Sequence, residues 1–205
     1  MPFSSGSTTI VDTLASRADS SALIRGGAVL FVTALTAAAA QVSVPLPFTQ
    51  VPFTFQPMVV LLGGLALGPR LGLASQILYL MAGIAGLPVF AASATLPPGA
   101  LRLLGPTGGY LLSYPLAAFV TGYLAERGFD RRYVTSVVAM FAGLLVVYAC
   151  GALWLGLLVR VGTPIGLQAA LATGVIPFIA ADLVKLAAAA GILPAFWSLL
   201  GRAHR

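Results

Sequence analysis

Long apolar runs, separated by short loops that hold most of the few charges, constrain this chain more than any motif in it. They lack the period-two alternation of a membrane barrel and are continuous enough for helices, so each reads as an α-helix. Eleven Lys/Arg and five Asp/Glu cannot clothe a water-facing surface of 205 residues. Charged residues are 8% of the chain, where a soluble domain carries about 25%. With a mean hydropathy of +1.00, the solvent for most of this protein is lipid. A soluble enzyme, a secreted disulfide scaffold and a disordered chain are excluded, and the expected fold is an all-α integral membrane bundle.

Two counts narrow the chemistry. Cys150 is the single cysteine, so the chain can form no internal disulfide and no thiolate cluster. The single histidine, His204, is the penultimate residue, which leaves no Ser-His-Asp triad, histidine-bound metal or haem ligand within the apolar region. No nucleophile with its base is evident, so the chain reads as a non-enzyme without metal or cofactor. The net charge of +6 is spread over the ends of apolar runs, which fits membrane topology and not nucleic-acid binding.

Six spans are predicted, at 23–42, 57–67, 71–87, 107–124, 133–159 and 174–200. The second would reach only about 17 Å at the helical rise, so it must pack among longer neighbours or pair with the third as a re-entrant unit. Arg17, Arg25, Arg70, Arg127, Arg131, Arg132, Arg202 and Arg205 then share one side, with Arg102 and Arg160 on the other. The positive-inside rule puts the eight, and both termini, in the cytoplasm. Residues 1–22 form a cytoplasmic N-terminal tail, 23–200 the membrane domain, and 201–205 a cytoplasmic C-terminal tail. Arg25 followed by Ala38-Ala39-Ala40 has the look of a cleaved signal segment. The stretch reads better as a helix whose small residues let another helix approach.

Asp182 and Lys185 are the only acid and base deep within a span. Each costs about 2.5–3.5 kcal/mol at a helix centre, and at i,i+3 they share a face. They form either a structural ion pair or the polar end of a ligand pocket, and the second reading is favoured because intramembrane charges mark functional sites. The segment 44–56, VPLPFTQVPFTFQ, has too many prolines to be helical throughout and no charge to hold it in water. It is expected to fold over the helices as a lid, with an interfacial aromatic belt as the alternative. Thr54 and Gln56 offer it hydrogen-bonding groups, while Pro88 and Phe90 in the next loop on that side suit an apolar wall. Thr107, Gly108, Gly109 and Tyr110 open the fourth span with free backbone N–H groups beside Arg102, an arrangement that attracts an anion unless the glycines serve only close packing.

Four motifs in order, VPFTFQP (51–57), GLPVF (86–90), GPTGGY (105–110) and Phe178-xxx-Asp182-xx-Lys185, resemble the BioY family over about residues 23–195. Its members are the biotin-binding S-components of bacterial energy-coupling factor (ECF) vitamin transporters. The resemblance implies capture of biotin near the outer surface, in a multi-pass protein of the bacterial cytoplasmic membrane. It also implies a membrane coupling subunit and two cytoplasmic ATPases as partners, with Ala34 and Ala38 on the first span as the docking face. Asp182 and Lys185 match the site pair of that family. With biotin as the ligand, Asp182 suits the ureido N–H groups, and Lys185 either pairs with a ligand oxygen or holds Asp182 ionised. The chain's own residues suggest Thr107, Gly108 and Gly109 with Arg102 for the tail carboxylate, Thr54, Gln56 and Tyr110 around the bicyclic ring, and Pro88 and Phe90 as apolar wall. The alternatives are an S-component for another vitamin or metabolite and, less well supported, a small membrane enzyme or a pore.

Overall fold

The computed structural model describes residues 9–16, 21–93 and 96–202. Arg17, His204 and Arg205 fall outside them. The described chain is a helical bundle carrying one two-stranded hairpin. Helix α1 (Ile10–Ala15) sits within the stretch read as a tail, capped by the Thr9 side chain, which accepts from the Asp12 N–H. It buries Ile10, Val11 and Ala15, and its Asp12 pairs with Arg25 at 3.1 Å.

The long helices fall where the apolar runs place them. They are α2 (Ser21–Gln41), α3 (Gln56–Leu67), α4 (Pro69–Ile84), α6 (Gly108–Ala125), α7 (Tyr133–Leu153) and α9 (Ile176–Ala190). Short α5 (Leu101–Leu104) precedes α6, α8 (Leu167–Gly174) precedes α9, and α10 (Ile192–Arg202) continues α9 beyond Gly191. Among the described residues, three stretches, Ser21–Gln41, Tyr133–Leu158 and Ile176–Leu199, are long and apolar enough to cross a membrane. Helices α3 and α4 are separate and joined through Gly68, whose φ of +81° suits glycine. Proline at the first turn of each meets no lost hydrogen bond there, because first-turn N–H groups have no intrahelical partner.

Helix α6 is the centre of the bundle, packed on α3, α4 and α7. Close approach there depends on missing side chains. A Cβ on Gly64 of α3 would meet Ala118 and Thr121 of α6, and one on Gly143 of α7 would meet Leu61 and Thr121. Where apolar burial is no driving force between helices, such small-residue contacts and interhelical hydrogen bonds hold them together. Helix α2 uses the second device on α4. Thr33 donates to the Ser75 carbonyl at 2.9 Å, and the Gln76 amide donates to the Thr36 hydroxyl at 3.3 Å. Ala39 and Ala40 are buried against the bundle, while Ala34 and Ala38 face outward.

The proline-rich segment between α2 and α3 folds back as an antiparallel hairpin. Strand β1 (Ser43–Val44) pairs with β2 (Phe53–Thr54) in the register Ser43↔Thr54 and Val44↔Phe53. The loop between them sends Leu46 and Val51 into the core. This hairpin, α5 and the turns around α8 occupy one end of the bundle, and the Gly68 turn and the α6–α7 loop occupy the other.

Candidate functional site

A cavity of about 670 Å³ opens beneath the hairpin. Its roof is the hairpin loop, and its sides come from α6, α7 and α9, with Tyr114, Val147 and Phe178 among the lining residues. A volume in the range of about 300–1,000 Å³ with few polar groups is the signature of a small-molecule pocket.

Asp182 and Lys185 face this cavity, one turn apart on α9, 3% and 7% exposed. Their side chains form a direct ion pair. Asp182 also accepts a hydrogen bond from the Tyr148 hydroxyl of α7 at 2.6 Å. The Lys185 ammonium donates to the Thr54 carbonyl of β2 at 2.7 Å and lies 4.1 Å from the centre of the Phe53 ring. Two buried charges so deep in the bundle are tolerable only with each other and with these added bonds. The carboxylate, an acceptor without protons, is the group best suited to read N–H donors on a ligand.

The other predicted residues divide. Thr54, Gln56, Phe90, Arg102, Thr107 and Tyr110 all line the cavity with the pair. The Gln56 amide donates to the Tyr79 hydroxyl at 2.6 Å, which donates to the Val89 carbonyl at 3.1 Å. This relay ties the start of α3 to the loop that carries Phe90, whose ring meets Tyr79 edge-on. The Tyr110 hydroxyl donates to the Gly174 carbonyl at 2.8 Å, joining α6 to the end of α8. Arg102 is buried and braces its own loop, donating from Nε to the Pro97 carbonyl at 3.1 Å and from Nη to the Ala91 carbonyl. A guanidinium has five N–H donors, so further ones remain for an anion. Burial lowers its pKa from the ordinary arginine value.

Pro88, Gly108 and Gly109 do not line the cavity. Pro88 is exposed at the bundle's edge, where its carbonyl accepts from Gln41 at 3.1 Å. Gly108 and Gly109 are packed beneath Trp154, and a Cβ on either would collide with Leu103 or Trp154. The glycines thus serve close packing, and Thr107 and Tyr110 are the residues of that helix start that line the cavity. Trp154 reaches them because α7 widens in its last turn, Trp154–Leu158, where the Val159 N–H bonds back five residues to the Trp154 carbonyl at 3.0 Å. Its indole N–H donates to the Gly105 carbonyl at 2.8 Å. Tyr114 and Tyr148 are site residues that sequence reasoning missed, because one tyrosine in an apolar run carries no sign of which helix it will face.

No three His, Cys, Asp or Glu side chains converge among the described residues. The arrangement is one for recognition: an acid, two cations, hydroxyls and aromatic rings around a partly open cavity.

The BioY family model matches residues 16–202. A probable biotin transporter BioY of Pyrococcus horikoshii is 44% identical over 160 residues, covering 78% of this chain and 87% of the relative. The chain belongs to the BioY family. A biotin transporter BioY of Thermotoga maritima is 38% identical, covering 82% of this chain and 90% of that one. The fold agrees with a crystal structure of the S-component for biotin from an ECF-type ABC transporter. That match has a TM-score of 0.77 at 24% identity, covering 88% of this chain and 94% of the other. Membership makes the chain a transporter protein and not an enzyme.

Proposed function

We propose that this family member is the biotin-capturing S-component of an ECF-type transporter in a bacterial cytoplasmic membrane. The observation that carries the reading is the buried Asp182–Lys185 pair facing an otherwise aromatic and apolar cavity. Biotin joins a fused bicycle, whose ureido group has two N–H donors and a carbonyl, to an aliphatic tail ending in a carboxylate. The Asp182 carboxylate accepts from the ureido N–H groups, with Tyr148 and Lys185 orienting it. The rings lie among Phe90, Tyr110 and Tyr114. The tail runs toward Thr107 and Arg102, where the remaining guanidinium N–H groups receive the carboxylate. Gln56, through Tyr79, fixes the Phe90 wall.

In this reading the six long helices are the spans, both termini are cytoplasmic, and the cavity opens to the outside. The cytoplasmic excess of arginine supports that orientation. Ala34 and Ala38 lie exposed on α2 and give a flat patch for a membrane coupling subunit, which two ATPases drive from the cytoplasm. Titration calorimetry of biotin-stripped protein in detergent tests the ligand. Nanomolar binding of biotin, with none of thiamine or riboflavin, is the expected result. Binding of another vitamin in place of biotin transfers the cavity to that ligand, and no binding by a folded sample removes the reading.

A further inference from the structure

We infer that Lys185 acts chiefly as the latch of the hairpin, a positioning residue that sets how fast ligand enters and leaves, and not chiefly as a ligand contact. The ammonium has three N–H donors. One meets Asp182, one the Thr54 carbonyl of β2, and the ring of Phe53 lies 4.1 Å from the nitrogen with that of Phe55 at 5.5 Å. Thr54 and Lys185 stand 131 residues apart, so this bond ties the roof of the cavity to α9.

The hairpin needs such a tie. Its ladder is two residues long on each side, and a two-stranded hairpin is marginal in water even at greater length. Leu46 and Val51 give it apolar contact with the core, but apolar contact does not fix one position. Among the described residues, the Lys185 bond is the only hydrogen bond from a charged side chain to either strand. Such bonds are roughly twice as strong as neutral ones.

The same ammonium answers to Asp182. A ligand donating N–H groups to that carboxylate draws its charge away from Lys185, and the ammonium then holds the Thr54 carbonyl more firmly. Occupancy of the site therefore closes its own roof, with the message passing through the two atoms of one ion pair. Only the ligand-exchange part of this inference rests on the biotin reading.

Hydrogen exchange of the ligand-free protein, wild type against Lys185→Met and Lys185→Arg, tests the latch without any ligand. Amides of residues 43–55 are expected to exchange at least about tenfold faster in Lys185→Met, the factor for losing a charge-assisted bond. Those of α3 and α6 should be unchanged, and Lys185→Arg should restore slow exchange in part. With biotin, Lys185→Met should dissociate faster by a similar factor while association is no slower. Unchanged hairpin exchange, or a loss of affinity seen only in slower association, overturns the inference. If Lys185→Met fails to fold, the charge-free pair Lys185→Met with Asp182→Asn is used, and hairpin exchange decides in the same way. Absence of biotin binding would remove the ligand reading and leave the exchange result standing.

Discussion

Asp182 and Asp130 are both buried acids, at opposite ends of the bundle, and they have been given different surroundings. Asp182 has a cation and a phenol for partners and an empty volume in front of it. Asp130, in the loop between α6 and α7, is fully enclosed. It accepts from the Trp197 indole at 2.7 Å and has the Arg131 guanidinium 3.7 Å away. Arg131 in turn lies over the Trp197 ring at 3.8 Å. One acid is surrounded by packed protein and fastens α10 to the loop. The other lines a cavity, with its two oxygens held by Lys185 and Tyr148 and a second lone pair left on each. Burial of a charge therefore does not identify a site; burial beside unfilled space does.

The contrast can be broken at several points. The largest effect belongs to Asp182→Ala, which strands the Lys185 ammonium without its acid. Removing one partner of a buried pair costs about 3–5 kcal/mol, so thermal unfolding in detergent should fall markedly. Asp182→Asn keeps the shape and an acceptor oxygen, and should weaken biotin binding by about 1.5–3 kcal/mol, the range for a hydrogen bond to a charged group. Tyr148→Phe should weaken it by about 1 kcal/mol, since the carboxylate keeps Lys185 and loses only one orienting bond. Calorimetry reads both.

Asp130→Asn should leave biotin affinity unchanged and act on stability alone. Burial raises the Asp130 pKa above its ordinary 3.8, outweighing the Trp197 bond and Arg131, which lower it. Between the ordinary value and the raised one the folded state holds more protons than the unfolded state. Stability from this group therefore rises as pH falls through that window and is lost as pH rises through the folded pKa. Melting curves of the wild type should gain on those of Asp130→Asn as the pH falls from about 7 toward about 4.

Much of this was legible in the chain. Apolar runs set five of the long helices to within a few residues, because in lipid a backbone has few other ways to satisfy its hydrogen bonds, while the last run is divided at Gly191 into α9 and α10. The prolines of 44–56 ruled out a helix there, and Asp182 and Lys185 stood out by their cost. What could not be read depended on which faces meet. Tyr148 reaches Asp182 only through the rotation of α7 against α9, and the Lys185 bond ends on a backbone carbonyl, which no side-chain pattern reveals. Gly108 and Gly109 offered two readings, and the choice required the widened last turn of α7 that brings Trp154 over them. Helices α1 and α8 are too short for their periodicity to stand out from loop.

The most direct test of the account is the biotin affinity of Asp182→Asn set beside that of Asp130→Asn, by calorimetry on protein verified as folded. A loss of roughly tenfold or more in the first, with the second equal to the wild type, is the predicted result. Equal affinities in all three proteins would contradict it, because the buried pair on α9 would then be a structural element like its counterpart and the cavity's ligand would be read by other groups.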